Sequence, residues 1–106
     1  MVYLAHFFAA AFLVNGVPHF VQGISGNSFQ TPFAKPPGIG ESSAIVNVLW
    51  GSFNFVFGYL LLVGAGEYSV GLNIDTLITG AGALLMALGL SWHFQRVRGG
   101  ARRKAS

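Results

Sequence analysis

The chain has 106 residues, 53% of them apolar and only 8% charged, with a formal net charge of +3. Soluble domains carry about 25% charged residues, so this composition excludes an ordinary water-soluble domain. The length allows one domain, and the lack of cysteine excludes disulfides, thiolate catalysis and Cys-ligated metals.

Three stretches contain no Lys, Arg, Asp or Glu: Val2–Ile24, Ser42–Gly66 and Thr76–Gln95. Each approaches the ~20 residues that a helix needs to cross a hydrocarbon core. A soluble core helix would show a charged face, and none of them does. The expected fold is therefore all-α: a three-helix transmembrane bundle forming a single membrane domain, with helices over about 3–23, 43–63 and 74–98. A basic tail, 99–106, is expected to be disordered. The first stretch lacks the basic n-region and the short apolar core of a secretory signal, and is expected to be retained.

After the first helix comes a connector, "SGNSFQTPFAKPPGIGE", whose Gly and Pro content forbids regular helix. Lys35-Pro36-Pro37 is expected to be extended. Phe29, Phe33 and Ile39 make this connector apolar, so it either lies in the membrane interface or folds back on the bundle. Ser42 or Ser43 can cap the second helix, which stops near Gly64 and Gly66. The short turn "EYSVGL" predicts antiparallel, adjacent second and third helices. Asn73 is a good N-cap for the third helix, with Asp75 in its first turn, and Gly99-Gly100 is a natural stop.

All six basic residues are Lys35, Arg96, Arg98, Arg102, Arg103 and Lys104. With three spans they fall on one side. The positive-inside rule then places the connector and C-terminus in the cytoplasm and the N-terminus outside. Copies in one membrane would be parallel. Tyr3 and Tyr68 fall at the outer interface and Trp92 at the inner one, as an aromatic belt requires. Arg96, Arg98, Arg102, Arg103 and Lys104 directly follow a membrane helix. They read as a topology anchor attracting anionic lipid headgroups, at about 1 kcal/mol per residue, rather than as a nucleic-acid patch.

The polar residues inside the spans form two stripes. Asn15, His19 and Gln22 share one face of the first helix; Ser43, Asn47, Gly51, Asn54 and Gly58 share one face of the second. Counted from the cytoplasmic ends, Asn54 is level with Asn15, Asn47 with His19, and Ser43 with Gln22. Polar groups in hydrocarbon need partners, so the stripes are expected to face each other. Gly51 and Gly58 would permit the close approach. The seam reads either as packing glue or as a polar path or small-ligand site. Gly16 and Pro18 weaken the first helix, predicting a kink or break that widens the seam around Asn15. On the third helix Thr76, Gly80, Ala83, Ala87 and Ser91 form a small-residue face for packing within the bundle or between subunits.

His6 lies opposite Asn15 on the first helix. His19 and His93 share the cytoplasmic half and are the one pair that could ligate a haem or line a quinone site; otherwise no cofactor and no metal are expected. Glu41, Glu67 and Asp75 fall in connectors or at helix ends, so no carboxylate pair is in sight, nor any lysine within the spans or phosphate-binding loop.

The run "PHFVQG…TPFAKPPGIG…NVLWG" resembles small bacterial multi-pass membrane proteins of uncharacterised activity. The resemblance implies a bacterial inner-membrane location and no particular reaction. The half-transporters of the SemiSWEET kind are similar in architecture, with three helices and a proline in the first, but their Pro-Gln motif is absent here. Three functional readings follow. The first is association, with copies of itself or as an accessory subunit of a larger membrane complex. The second is an oligomeric small-solute transporter or channel lined by the seam. The third is a haem or quinone protein using His19 and His93.

Overall fold

The computed structural model describes residues 1–105, with side chains through Gly99. Five elements follow in order: α1 (Val2–Ile24), β1 (Phe29–Gln30), β2 (Glu41–Ser42), α2 (Ala44–Gly64) and α3 (Ile74–Ala105). Three helices are long and apolar enough to cross a membrane, α3 over Ile74–Gly99. The short antiparallel ladder of β1 and β2 pairs Phe29 with Ser42 and Gln30 with Glu41, an addition to the all-helical expectation.

Local chemistry sets the helix ends. α1 closes in a Schellman arrangement: Gly26 takes φ +82°, its N–H bonds Gly23 O, and Asn27 N–H bonds Gln22 O. Ser43 Oγ caps α2 by accepting from Val46 N–H, and Asn73 Oδ1 caps α3 by accepting from Thr76 N–H at 2.8 Å. Pro18 sits inside α1 without breaking it; the helix is continuous. The stop expected at Gly99-Gly100 does not occur, and the backbone stays helical to Ala105. A glycine ends a helix by adopting positive φ, and among the described residues only Gly26, Gly38 and Gly66 do so. The headgroup role expected of Arg102, Arg103 and Lys104 falls on side chains outside the described residues.

α1 is the central helix and packs along both others. Its contact with α2 rests on small residues seven apart on each helix. A Cβ added at Gly23 would lie 2.6 Å from Ala44 O, one at Gly16 would lie 2.8 Å from Gly51 O, and one at Gly58 would lie 2.9 Å from Ala9 O. Antiparallel order thus sets Gly23 on Ala44, Gly16 on Gly51 and Ala9 on Gly58. A seven-residue spacing keeps these residues on one seam, and small side chains let the backbones touch. Gly16, read from sequence as a weak point, is a contact point.

α2 and α3 are not the neighbours that the short turn predicted. The 65–73 segment instead crosses the N-terminal end of α1, where Gly66 meets Val2 and the Tyr68 ring stands edge-on to His6 at 5.2 Å. α3 then returns along the other side of α1, with Gly82 against Phe7 O. That contact, not the predicted small-residue face, is the close approach of α3. Gly80 has nothing within 4 Å, Ala87 is exposed and Ala83 half-buried.

The connector folds back onto the bundle. Phe29, Gln30 and Thr31 are buried. Thr31 organises the segment after it: its Oγ1 accepts from Phe33 and Ala34 N–H, and its carbonyl accepts from Gly38 N–H at 2.8 Å. These bonds curl residues 32–40 into turns, including Lys35-Pro36-Pro37, where extended backbone was expected; Lys35-Pro36 is in the cis form.

Candidate functional site

The two stripes do meet. Asn54 is fully buried. Its Nδ2 donates to Trp50 O at 2.8 Å, and its Oδ1 accepts from Asn15 Nδ2 at 3.0 Å. Asn47 is also fully buried. Its Nδ2 faces three carbonyls, Phe29 O, Ser42 O and Ser43 O, at 3.2, 3.1 and 3.0 Å. Its Oδ1 pairs with His19 Nδ1 at 2.8 Å. Asn47 therefore ties α1, α2 and β1 together in one side chain. Gln22 does not join the seam. It half-emerges at the end of α1 and accepts from Asn27 Nδ2, because Ser43, its expected partner, is occupied in capping α2.

Space opens beside the seam, not within it. The α1–α2 contact is closed by Gly16, Gly51 and Phe55, so the widening expected from Pro18 does not part these helices. A cavity of about 190 Å³ lies on the other flank of Asn15 and His19, roofed by the connector. Its lining is Asn15, His19, Gln30, Thr31, Pro32, Gly38, Trp50, His93 and Phe94. None of these is Lys, Arg, Asp or Glu. His93 holds the roof by donating from Nε2 to Gly38 O at 2.7 Å. A carbonyl can only accept, so His93 Nε2 carries its proton.

The structure thus brings His19 and His93 to one cavity, as the third reading required. Haem does not fit it: His93 Nε2 is committed to Gly38, and the volume is below the ~300 Å³ at which drug-sized ligand pockets begin. Among the described residues no group of three or more His, Cys, Asp or Glu side chains is arranged to hold a metal ion.

Arg98, expected to reach lipid headgroups, turns inward instead. It donates to Gln30 Oε1 at 3.0 Å and Glu41 Oε2 at 3.3 Å, and its guanidinium lies 4.8 Å from the Phe29 ring centre. It clamps the connector ladder to α3. The ion pair is half exposed and worth at most about 1 kcal/mol, so the stacking matters as much. Arg96 lies exposed over the Trp92 ring at 4.6 Å, a position suited to an interface.

A second buried polar pair escaped the sequence reading. His6 is fully buried, and its Nδ1 meets both Asp75 oxygens, at 2.6 and 2.8 Å. Its Nε2 is buried without a partner. Asp75 was legible only as a first-turn acid favouring the helix dipole, and nothing local points it at residue 6. Tyr68, expected in the outer aromatic belt, covers this pair.

The Asn15–Asn54 pair gives a direct test of packing glue. Asn54→Leu alone strands the Asn15 amide and should cost about 1–3 kcal/mol. The double change Asn15→Leu with Asn54→Leu should cost clearly less, because both partners become apolar together. Unfolding of the purified variants in detergent measures both. Equal losses in the single and double variants would show that the pair does not act as a unit.

No protein-family model matches the chain, and neither a curated protein nor a solved structure is significantly similar to it.

Proposed function

We propose that this chain is a multi-pass integral membrane protein that binds a small uncharged molecule, or the uncharged head of a larger one, in the cavity beneath the connector. The observation that supports this is the lining: polar and aromatic side chains from α1, α2, α3 and the connector converge on one space, and none of them is charged. Protein pockets for small molecules have this character, largely apolar walls with a few placed polar groups. Transport along the α1–α2 seam is less well supported, since Asn47 and Asn54 are fully enclosed.

Binding is testable through Trp50. The chain has two tryptophans, and Trp92 is exposed. In a Trp92→Phe variant the emission reports Trp50 alone, in the cavity wall. Native mass spectrometry of the purified chain should show a co-purified non-protein mass. Stripping that mass should shift the Trp50 emission. An unchanged spectrum after stripping, or no bound mass at all, would count against the reading.

The proposed location is a bacterial inner membrane, with the N-terminus outside and the C-terminus in the cytoplasm. The support is the grouping of all Lys and Arg on one side of three spans. Val70 is 81% exposed in the 65–73 segment and is a better reporter than the half-buried Tyr68. Val70→Cys should react with a membrane-impermeant thiol reagent added outside spheroplasts. Reaction only after lysis would reverse the orientation.

Association is a second reading, with copies of the chain or with a larger membrane complex. One observation favours it: Gly80 and Gly89 of α3 face open space, with nothing within 4 Å of an added Cβ. The intact mass of the detergent-solubilised complex separates a monomer from a homo-oligomer or a partnered subunit.

A further inference from the structure

We infer that the occupant of this cavity is a hydroxyl-bearing ring with an apolar tail, of the quinol or long-chain phenol class, its ring in the cavity and its tail in the groove between α1 and α3. This rests on the reading of the cavity as a ligand site and names the ligand's chemistry.

The first argument is hydrogen-bond polarity. Three relays run into the cavity wall, and each starts at a backbone carbonyl, which can only accept. Trp50 O fixes Asn54 with Nδ2 toward it. Asn54 then presents Oδ1 to Asn15, which answers with one N–H of Nδ2 and keeps Oδ1 and its second N–H free. The carbonyls of Phe29, Ser42 and Ser43 fix Asn47 in the same way. Asn47 Oδ1 then requires the proton on His19 Nδ1, leaving the Nε2 of the neutral ring as an acceptor. Gly38 O takes the proton of His93 Nε2, leaving Nδ1 as an acceptor in the neutral ring. Gln30 Oε1 accepts from Arg98, one N–H of Gln30 Nε2 goes to Glu41, and Thr31 Oγ1 pairs with Ser42 Oγ. Trp50 Nε1 is buried and has no partner. The relays leave three acceptors, Asn15 Oδ1, His19 Nε2 and His93 Nδ1, beside the spare amide N–H groups of Asn15 and Gln30, so the complementary head donates hydrogen bonds and also accepts one, as a hydroxyl does.

The second argument is charge and shape. With no Arg or Lys in the lining, a phosphate or carboxylate head has no counter-charge. Trp50, Phe94 and the two imidazoles line the space, aromatic surface that suits a ring. The third is size. About 190 Å³ holds a ring but not a lipid-sized molecule. Directly beside it lies an open groove of about 340 Å³, lined by Val14, Val17, Pro18, Ala87, Leu90 and Phe94 among others. Phe94 borders both spaces. The proposed tail leaves the ring beside Phe94 and lies in that groove.

The test uses the full chain in lipid nanodiscs, the Trp92→Phe background and probe concentrations expressed per mole of lipid. The probes are 4-nonylphenol, its methyl ether 4-nonylanisole, phenol, decylubiquinol and decylubiquinone, the quinol kept anaerobic. The inference expects 4-nonylphenol to bind at least ~10-fold more tightly than the anisole, because a site built for a hydrogen bond rejects the analogue lacking it. Decylubiquinol should exceed decylubiquinone in the same sense. A quinol tighter than nonylphenol marks a quinol site, and the reverse order marks a phenolic lipid; both fit the class. Ala87→Phe, which fills the groove, should weaken nonylphenol at least ~10-fold and leave phenol unchanged. Equal binding of phenol and anisole forms, or preference for the quinone, overturns the donor assignment. An Ala87→Phe variant that binds nonylphenol normally overturns the tail assignment. In both cases Trp50 still reports an occupant, so the ligand-site reading survives; failure of every probe together with no co-purified mass removes both.

Discussion

Replacing Gly51 by alanine should destabilise the protein by about 1–3 kcal/mol, and by valine more, while the same Gly→Ala change at Gly80 should stabilise it by roughly 0.5–1 kcal/mol. A Cβ at Gly51 would lie 2.7 Å from Phe20 N and 2.9 Å from Gly16 O. Both neighbours are backbone of α1, so no rotamer change can relieve the clash. The helices must separate, and the Asn15–Asn54 and His19–Asn47 bonds on either side stretch with them. At Gly80 nothing lies within 4 Å, so alanine simply restores helix propensity. Denaturation in mild detergent reads both changes. Gly51→Ala behaving like Gly80→Ala would mean that α1 and α2 are not in backbone contact. A Gly80→Ala variant that loses oligomer mass would instead place α3 at a subunit interface.

Asp75→Leu should cost about 3 kcal/mol or more, and His6→Phe with Asp75→Leu should recover most of it. The single change leaves the His6 Nδ1 proton in a fully buried place with Nε2 already unpartnered. Breaking one member of a buried pair costs ~3–5 kcal/mol, whereas exchanging both for apolar groups is often neutral. The effect is large because little of α3 is buried within the chain, 6% of its most apolar window. Single and double variants of equal stability would show that the pair contributes no buried interaction.

The polar seam was legible because both halves of it are periodic. Asn15 and His19, four apart on one helix, and Asn47 and Asn54, seven apart on the other, declare their faces without reference to each other. Depth counting from the helix ends then pairs them, and the hydrogen bonds fall where that count puts them. The cavity was not legible. Its roof is made by Gln30, Thr31, Pro32 and Gly38, which come from a segment with no periodicity to read. Its third wall comes from α3, whose register against α1 depends on a fit between Gly82 and the Phe7 backbone. Arg98 shows the same limit: a cation after an apolar run suggests headgroups, yet a folded-back connector offered it Glu41 and the Phe29 ring.

The sequence by itself determined the number of the helices and where each begins, the caps at Ser43 and Asn73, and the face on which α1 meets α2. These follow from apolar run length, local hydrogen bonding and helical period, each contained within about twenty residues. Only the tertiary structure decided that α1 is central, that the connector closes over His19 and that His6 finds Asp75. Those outcomes join residues as far as 55 and 69 positions apart, through backbone fit at glycines and polar atoms that need partners. No local pattern encodes such a choice, because the partner of each group is set by which helix surfaces can approach most closely.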